Sequence, residues 1–250
     1  MKDILQQARE ALEERIAGAG LTGLPVCVSA RTLSTEEAIG TPHYADLPIL
    51  RGNEVMIEAE FGGARGHAFT SQPGNWSGSL REVLVLPLQS HVERAILCAT
   101  MNAVLRFLGE VGRTVHCKSE DIEDCGREMA EELHAEFGDA SVGVVGYQPG
   151  LVAGLVSQFG PARVHVTDLA AENVGQVKQG VEMWDGATRT GDLVAASDLV
   201  LATGSTAANG TYDEIARLAS KQGVPLILFG VTAAAVCHLC GIRRMCLRAT

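Results

Sequence analysis

Basic residues are scarce in this chain. Its 20 Lys and Arg stand against 30 Asp and Glu, leaving a formal net charge of −10 over 250 residues. Binding to nucleic acid without sequence preference needs clustered positive charge against phosphate, so this balance excludes it. Long apolar runs are also missing. None approaches the ~20 residues that cross a bilayer, which excludes a helical membrane anchor. The start, Met1-Lys2-Asp3-Ile4, opens an acidic amphipathic helix and lacks the apolar stretch of a signal peptide, so a cytoplasmic protein is expected. There is no internal repeat, no low-complexity linker, no H-E-x-x-H or Walker motif and no Ser-His-Asp order. A clear catalytic base is missing too, although His116 could serve as one. What is present is a 46% hydrophobic composition, enough for a sizeable core in two modest domains or one large one. In a reducing compartment the seven cysteines are free thiols, metal ligands or core residues rather than disulfides.

Ile4, Leu5, Ala8, Leu12 and Ile16 keep a helical period, which predicts a helix over 3–17 ended by Gly18 and Gly20. Residues 26–30 read as a strand. Residues 54–61 read as an alternating strand, followed by a turn at Gly62–Gly66 and a return strand to Thr70. Residues 34–53 give no clear pattern. Ser79 and Glu82 are spaced to cap a short helix, and 91–108 reads as a helix apolar almost all round and therefore buried. A further helix starts near Ser119 with acids in its first turn and the stripe Ile122, Cys125, Met129, Leu133, Phe137. Strands are then expected at 142–146, 163–167, 181–184, 198–203 and 225–230, with helices opening at Pro149, Tyr212 and Thr232. This pattern predicts an α/β protein: an α+β domain over 1–115, then a parallel, doubly wound sheet over 116–250.

The segment from Thr203 to Thr211 falls between a strand and a helix, at the sheet edge where open α/β folds bind ligands. Thr203, Gly204, Ser205, Thr206, Asn209 and Thr211 are small or hydrogen-bonding, and the helix behind them favours negative charge. Thr211 and Glu214 also fit a capping box, which accounts for those two alone. Thr232 repeats the theme after Gly230 and doubles as an N-cap candidate. Asp168, at the end of the second strand, is placed to hold a ribose hydroxyl or simply to cap a helix. Gly146, Gly150 and Gly154 depart from G-x-G-x-x-G, so they favour a nucleotide-like or adenosyl ligand only weakly and argue against hydride transfer to a nicotinamide. Asp185 reads equally well as a turn residue. Asn102, on an apolar helix, must be hydrogen-bonded, either as a bridge to backbone or as a polar group aimed into an interdomain cleft.

Among the thiols, Cys237 and Cys240 have C-x₂-C spacing, which would suit a thiophilic transition metal. They fall on an apolar helix toward its C-terminal end, so core roles compete with ligation. Cys27, Cys98 and Cys125 read as core. His116-Cys117 is the better metal candidate, because it lies in a polar segment with no apolar period to explain it.

Taken together, Gly180–Gly186, Thr203–Thr211, Gly230–Ala233, Arg94-Ala-Ile and Asn102-Ala103 resemble the putative heavy-metal chelation family over roughly residues 90–246. The resemblance implies an N-terminal domain similar to the enolase N-terminal fold, then a Rossmann-like domain, with a site in the cleft between them. Carried over by position, that site involves Asn102, Asp168, the 203–211 segment and Thr232. The chain departs from the family after Cys246, where it reads Leu247-Arg248-Ala249-Thr250 in place of a Pro- and Gly-containing tail. Three function classes follow: handling of a metal or metal-containing small molecule, with Cys117, Cys237 and Cys240 as candidate thiol ligands; a transferase-like enzyme using a nucleotide-like or adenosyl ligand; or a carrier or sensor using the same cleft. The sequence neither requires nor excludes a homo-oligomer.

Overall fold

The computed structural model describes residues 3–21, 27–52 and 54–250, without the side chains of residues 27–29. The first half holds α1 (Ile4–Gly18), β1 (Cys27–Thr32), α2 (Thr35–Ile39), β2 (Val55–Phe61), β3 (Ala64–Thr70), β4 (Trp76–Ser79), α3 (Leu80–Leu84) and α4 (His91–Phe107). There follow α5 (Asp121–Phe137), β5 (Val142–Val145), α6 (Pro149–Phe159), β6 (Val164–Asp168), β7 (Val177–Lys178) and β8 (Val181–Asp185). The last are α7 (Thr190–Ala195), β9 (Leu199–Thr203), α8 (Ser205–Asn209), α9 (Tyr212–Gln222), β10 (Leu226–Phe229), α10 (Ala234–Cys240) and β11 (Arg244–Met245). The expected helices and strands are present with small shifts at their ends. Val26, the first residue of the expected first strand, lies outside the described residues. The short elements β7, α7 and β11 carry too few periodic residues to be read in advance.

β1 to β4 form an antiparallel sheet in the order β3-β2-β1-β4. The second sheet has the order β11-β10-β9-β5-β6-β8-β7, with β7 antiparallel and the other pairs parallel. Numbered along the chain, its parallel strands read 3-2-1-4-5-6, the Rossmann order, and the direction of winding reverses between β5 and β9. Alternate residues of β9 show why both faces are covered. Leu199 and Leu201 join the core under α5 and α6, whereas Val200 packs with Leu193, Val194 and Ala219 on the other face.

Local chemistry sets the boundaries. The β2–β3 hairpin turns in two residues, Gly62 and Gly63, both with positive φ (58° and 82°), so its return strand starts earlier than the expected turn allowed. Ser79 and Glu82 form the capping box expected for α3, and Ser90 and Glu93 form another for α4. Leu97, Met101 and Leu105 on α4 are fully buried, each stabilising the fold by about 1.5–3 kcal/mol. α4 packs against β2 and β3 on one side and against α8 and α10 on the other. One apolar core therefore contains Leu12, Phe61 and Met101 together with Ala207, Ile215 and Val236.

Candidate functional site

A cavity of about 140 Å³ opens at the carboxyl ends of β5, β9 and β10, at the point where the winding reverses. Gly146, Thr203, Ser205 and Thr232 supply its floor. α5 contributes Ile122, Cys125 and Met129 to one wall, and the segment before that helix contributes His116 and Cys117. Leu47, Pro48 and Ile49, from the stretch without a clear sequence pattern, form a roof. That roof is tied down through Asp46. Its Oδ2 accepts a hydrogen bond from Tyr147 Oη at 2.9 Å and one from Lys178 Nζ at 3.1 Å, and Arg51 lies 3.8 Å away.

The structure brings together some of the expected site residues and leaves others apart. Thr203, Ser205, Asp168, Thr232, His116 and Cys117 line the cavity; Asn102, Gly204, Thr206, Asn209, Thr211, Cys237 and Cys240 do not. The expected 203–211 loop is largely the short helix α8, and its small residues are explained by packing. Ala207 and Ala208 are buried against neighbouring helices, and a Cβ on Gly204 would lie 2.9 Å from Ala233 N. Thr206 Oγ1 donates to Thr203 O at 2.7 Å. Thr211 does not form the expected capping box: its hydroxyl donates to Asn209 Oδ1 at 2.7 Å, and Glu214 pairs with Arg217 instead. Thr232 does not cap α10 either, because its Oγ1 accepts from Phe69 N at 3.0 Å and so ties the two sheets together.

Asn102 is fully buried and fully engaged. Its Nδ2 donates to His67 O (2.9 Å), Val231 O (3.0 Å) and Thr232 O (3.4 Å), and its Oδ1 accepts from Ala235 N at 2.7 Å. It is a bridge between β3 and the β10–α10 connection. The Asp168 carboxylate is likewise occupied, accepting from Tyr147 N (2.7 Å), Ala170 N (2.8 Å) and Asn173 Nδ2 (3.2 Å). It pins the first strand-to-helix turn of the sheet. Asp185 is a turn residue, accepting from Ala187 N and Thr188 Oγ1. Gly150 and Gly154 serve packing: a Cβ on Gly126 of α5 would meet Gly150 C at 2.4 Å, and one on Gly154 would meet Gly126 O at 2.6 Å.

Cys237 lies in the core with α1 and α4, and Cys240 is half-buried beyond it. Burial pushes the Cys237 thiol up to about 12, and raises Cys240 as well. The thiols that share the cavity with Cys117 are Cys125 and Cys246. All three are buried on the cavity wall. Cys125 falls on the apolar stripe that reads as core, yet it is the centre of the group. Hydrogen bonds from Cys117 and Cys246, and from the backbone N–H groups of Arg248 and Leu247, push it far below the usual thiol range. Cys117 and Cys246 are raised in turn by donating to it. The tail that brings Cys246 here is clamped. Thr250 and Val115 exchange backbone hydrogen bonds (2.8 and 2.9 Å), and Arg248 Nε reaches both oxygens of Glu128 at 3.1 and 3.0 Å.

His116 Nδ1 sits 2.6 Å from Cys117 O; because a carbonyl can only accept, Nδ1 carries the proton and Nε2 is left as a lone-pair donor. Burial pushes this imidazole down to about 4, so it is neutral near pH 7. Its backbone N–H is fixed by His67 Nδ1 at 3.1 Å, and His67 Nε2 donates to Glu58 Oε2 at 3.0 Å. Glu54, also on the cavity, is pushed up to about 7 by burial and by the Asp168 carboxylate. Among the described residues, no three His, Cys, Asp or Glu side chains are already grouped to hold a metal ion. No helix among them is long and apolar enough to cross a membrane.

A Rossmann-ordered sheet beside a four-stranded antiparallel sheet makes this an α/β protein, with a thiol-bearing cavity at the switch point of the larger sheet. Residues 130–242 match the family described as “Putative heavy-metal chelation”, in agreement with the resemblance carried by the sequence motifs. A protein with unknown function of the same family from Pyrococcus horikoshii shares the fold, with a TM-score of 0.55 at 13% identity over 92% of this chain and 80% of that one. Another, from Desulfitobacterium hafniense, aligns with a TM-score of 0.48 at 15% identity over 74% of this chain and 72% of that one. No curated protein matches the chain.

Proposed function

We propose that the cavity binds and handles a thiophilic metal, or a small molecule carrying one, with Cys117 as a donor and His116 beside it. The observation that carries this reading is the adjacency of these two residues on the wall of a small cavity at the switch point of the sheet. An imidazole with a free Nε2 and a thiol are both donors that soft and borderline metals accept. The description of the matched family points the same way.

The nucleotide reading has less support. Its ribose acceptor, Asp168, is consumed by backbone N–H groups, and its glycines are consumed by the α5–α6 contact. A cavity of about 140 Å³ is also small beside the ~300 Å³ or more of sites for drug-sized ligands. The test is native mass spectrometry with metal analysis on protein purified without oxygen or chelator. A bound metal near unit stoichiometry that is lost in a folded Cys117→Ser variant is the expected result. A metal-free protein carrying an organic mass would return the nucleotide-like or adenosyl ligand to first place.

A further inference from the structure

We propose that Cys117, Cys125 and Cys246 together form a thiolate site for a soft cation of low coordination number, of the monovalent-copper class. This deepens the metal-handling reading and rests on it, but it replaces the sequence-derived partners of Cys117. Three parts of the chain converge here: the segment before α5, the face of α5 itself, and the clamped tail after β11. All three thiols are buried and face one cavity. Cys237 and Cys240 lie elsewhere, in and beside the core under α1.

The surroundings select the class of ion. Hard cations need several oxygen donors and water, whereas Cys117 and Cys125 pack in one apolar cluster with Ile122, Met129 and Leu47. Met129 Sδ lies 3.9 Å from Cys125 Sγ, adding a soft thioether beside the thiols. Thiolates and thioethers in apolar surroundings favour monovalent copper, which is satisfied by two or three sulfurs. The three sulfurs line one cavity without yet forming a cage of donors; the entering ion draws them together and replaces their protons, which pass to solvent. The clamp on the tail matters here. Arg248 reaches Glu128 and Asp121 of α5, which carries Cys125, so the tail bearing Cys246 is fastened to that helix before any ion arrives.

The experiment is an anaerobic titration of the full chain with monovalent copper against a chromophoric copper(I) chelator. The thiolate-to-copper absorption band is recorded in parallel, and zinc is a second probe. The expected result is one copper per chain, weakened about 100-fold or more in each of Cys117→Ser, Cys125→Ser and Cys246→Ser, with Cys237→Ser and Cys240→Ser indistinguishable from wild type. Where a serine variant unfolds, alkylation of the wild-type protein replaces it: copper should protect these three cysteines together and leave labelling of Cys240 unchanged. Wild-type affinity in folded Cys125→Ser and Cys246→Ser, with loss in Cys117→Ser alone, would overturn the three-thiol site and leave the metal-handling reading standing. Zinc binding tighter than copper and dependent on His116 would overturn the low-coordination class. Protection of Cys237 and Cys240 instead would overturn the location. Failure of every metal to bind would remove the metal-handling reading itself.

Discussion

Replacing Asn102 with Ala separates a bridge from a ligand group. The side chain has no exposure, and its four hydrogen bonds all go to backbone atoms. Its two amide protons serve the close pair His67 O and Val231 O, with Thr232 O as a longer third contact. Truncation leaves Ala235 N–H, in the first turn of α10, and at least one carbonyl without partners, in a place where water has no room. Each such group costs about 1–3 kcal/mol, so a loss of about 3–5 kcal/mol is expected once the lost packing is added. For a chain of this length that lowers Tm by roughly 6–20 °C. Urea unfolding followed by circular dichroism measures it, and an unchanged slope keeps the comparison clean. Asn102→Asp is the sharper control. It keeps the acceptor for Ala235 N but turns a carboxylate toward three carbonyl oxygens, so it should be at least as unstable at neutral pH and recover partly in acid. A loss below about 1 kcal/mol in Asn102→Ala would refute the bridge and return the residue to the ligand site.

Gly126→Ala should destabilise the fold by about 1–3 kcal/mol despite a gain of ~1 kcal/mol in helix propensity, because its Cβ would sit 2.4 Å from the α6 backbone; a more stable variant in thermal unfolding would contradict the close α5–α6 seam. Glu54 has a native pKa raised to about 7, so the folded state holds its proton where the unfolded chain has released it. Stability therefore declines as pH rises from about 4.5 to 7, by about 1–3 kcal/mol from this group alone. Glu54→Gln should flatten that decline in urea midpoints measured across the window, and an identical pH profile in wild type and variant would show that Glu54 is not desolvated.

Long periodic segments were legible in the sequence. The stripes of α1 and α5, the all-round apolar α4 and the strand–helix alternation of the Rossmann sheet each repeat one residue type often enough to fix an element. The 203–211 segment was misread because Ser, Thr and Asn favour loops by local propensity, while the helix they form is set by burial against α4. Thr232 failed as a cap for the same kind of reason: its hydroxyl has a partner on a distant strand. The thiol cluster shows a different limit. An apolar stripe looks the same whether its helix packs on a core or lines a hollow, so Cys125 gave no signal of its own. Cys246 joins it only through a clamp between residues far apart along the chain. The available clue was the polar setting of His116-Cys117, two residues that line the cavity, and it named no partner among the thiols.

Asp46 has a consequence for timing. α4 packs against the antiparallel sheet and against α8 and α10, and so joins the two halves of the molecule. On the metal-handling reading, cargo reaches the cavity beneath the roof at Leu47–Ile49, and that roof is latched by one carboxylate oxygen shared between a phenol and an ammonium group. How long the cavity keeps its contents is then a property of the latch rather than of the sulfurs. Ionic strength, which screens the lysine–carboxylate pair without touching a thiolate–metal bond, becomes a control on residence time that leaves equilibrium affinity nearly unchanged.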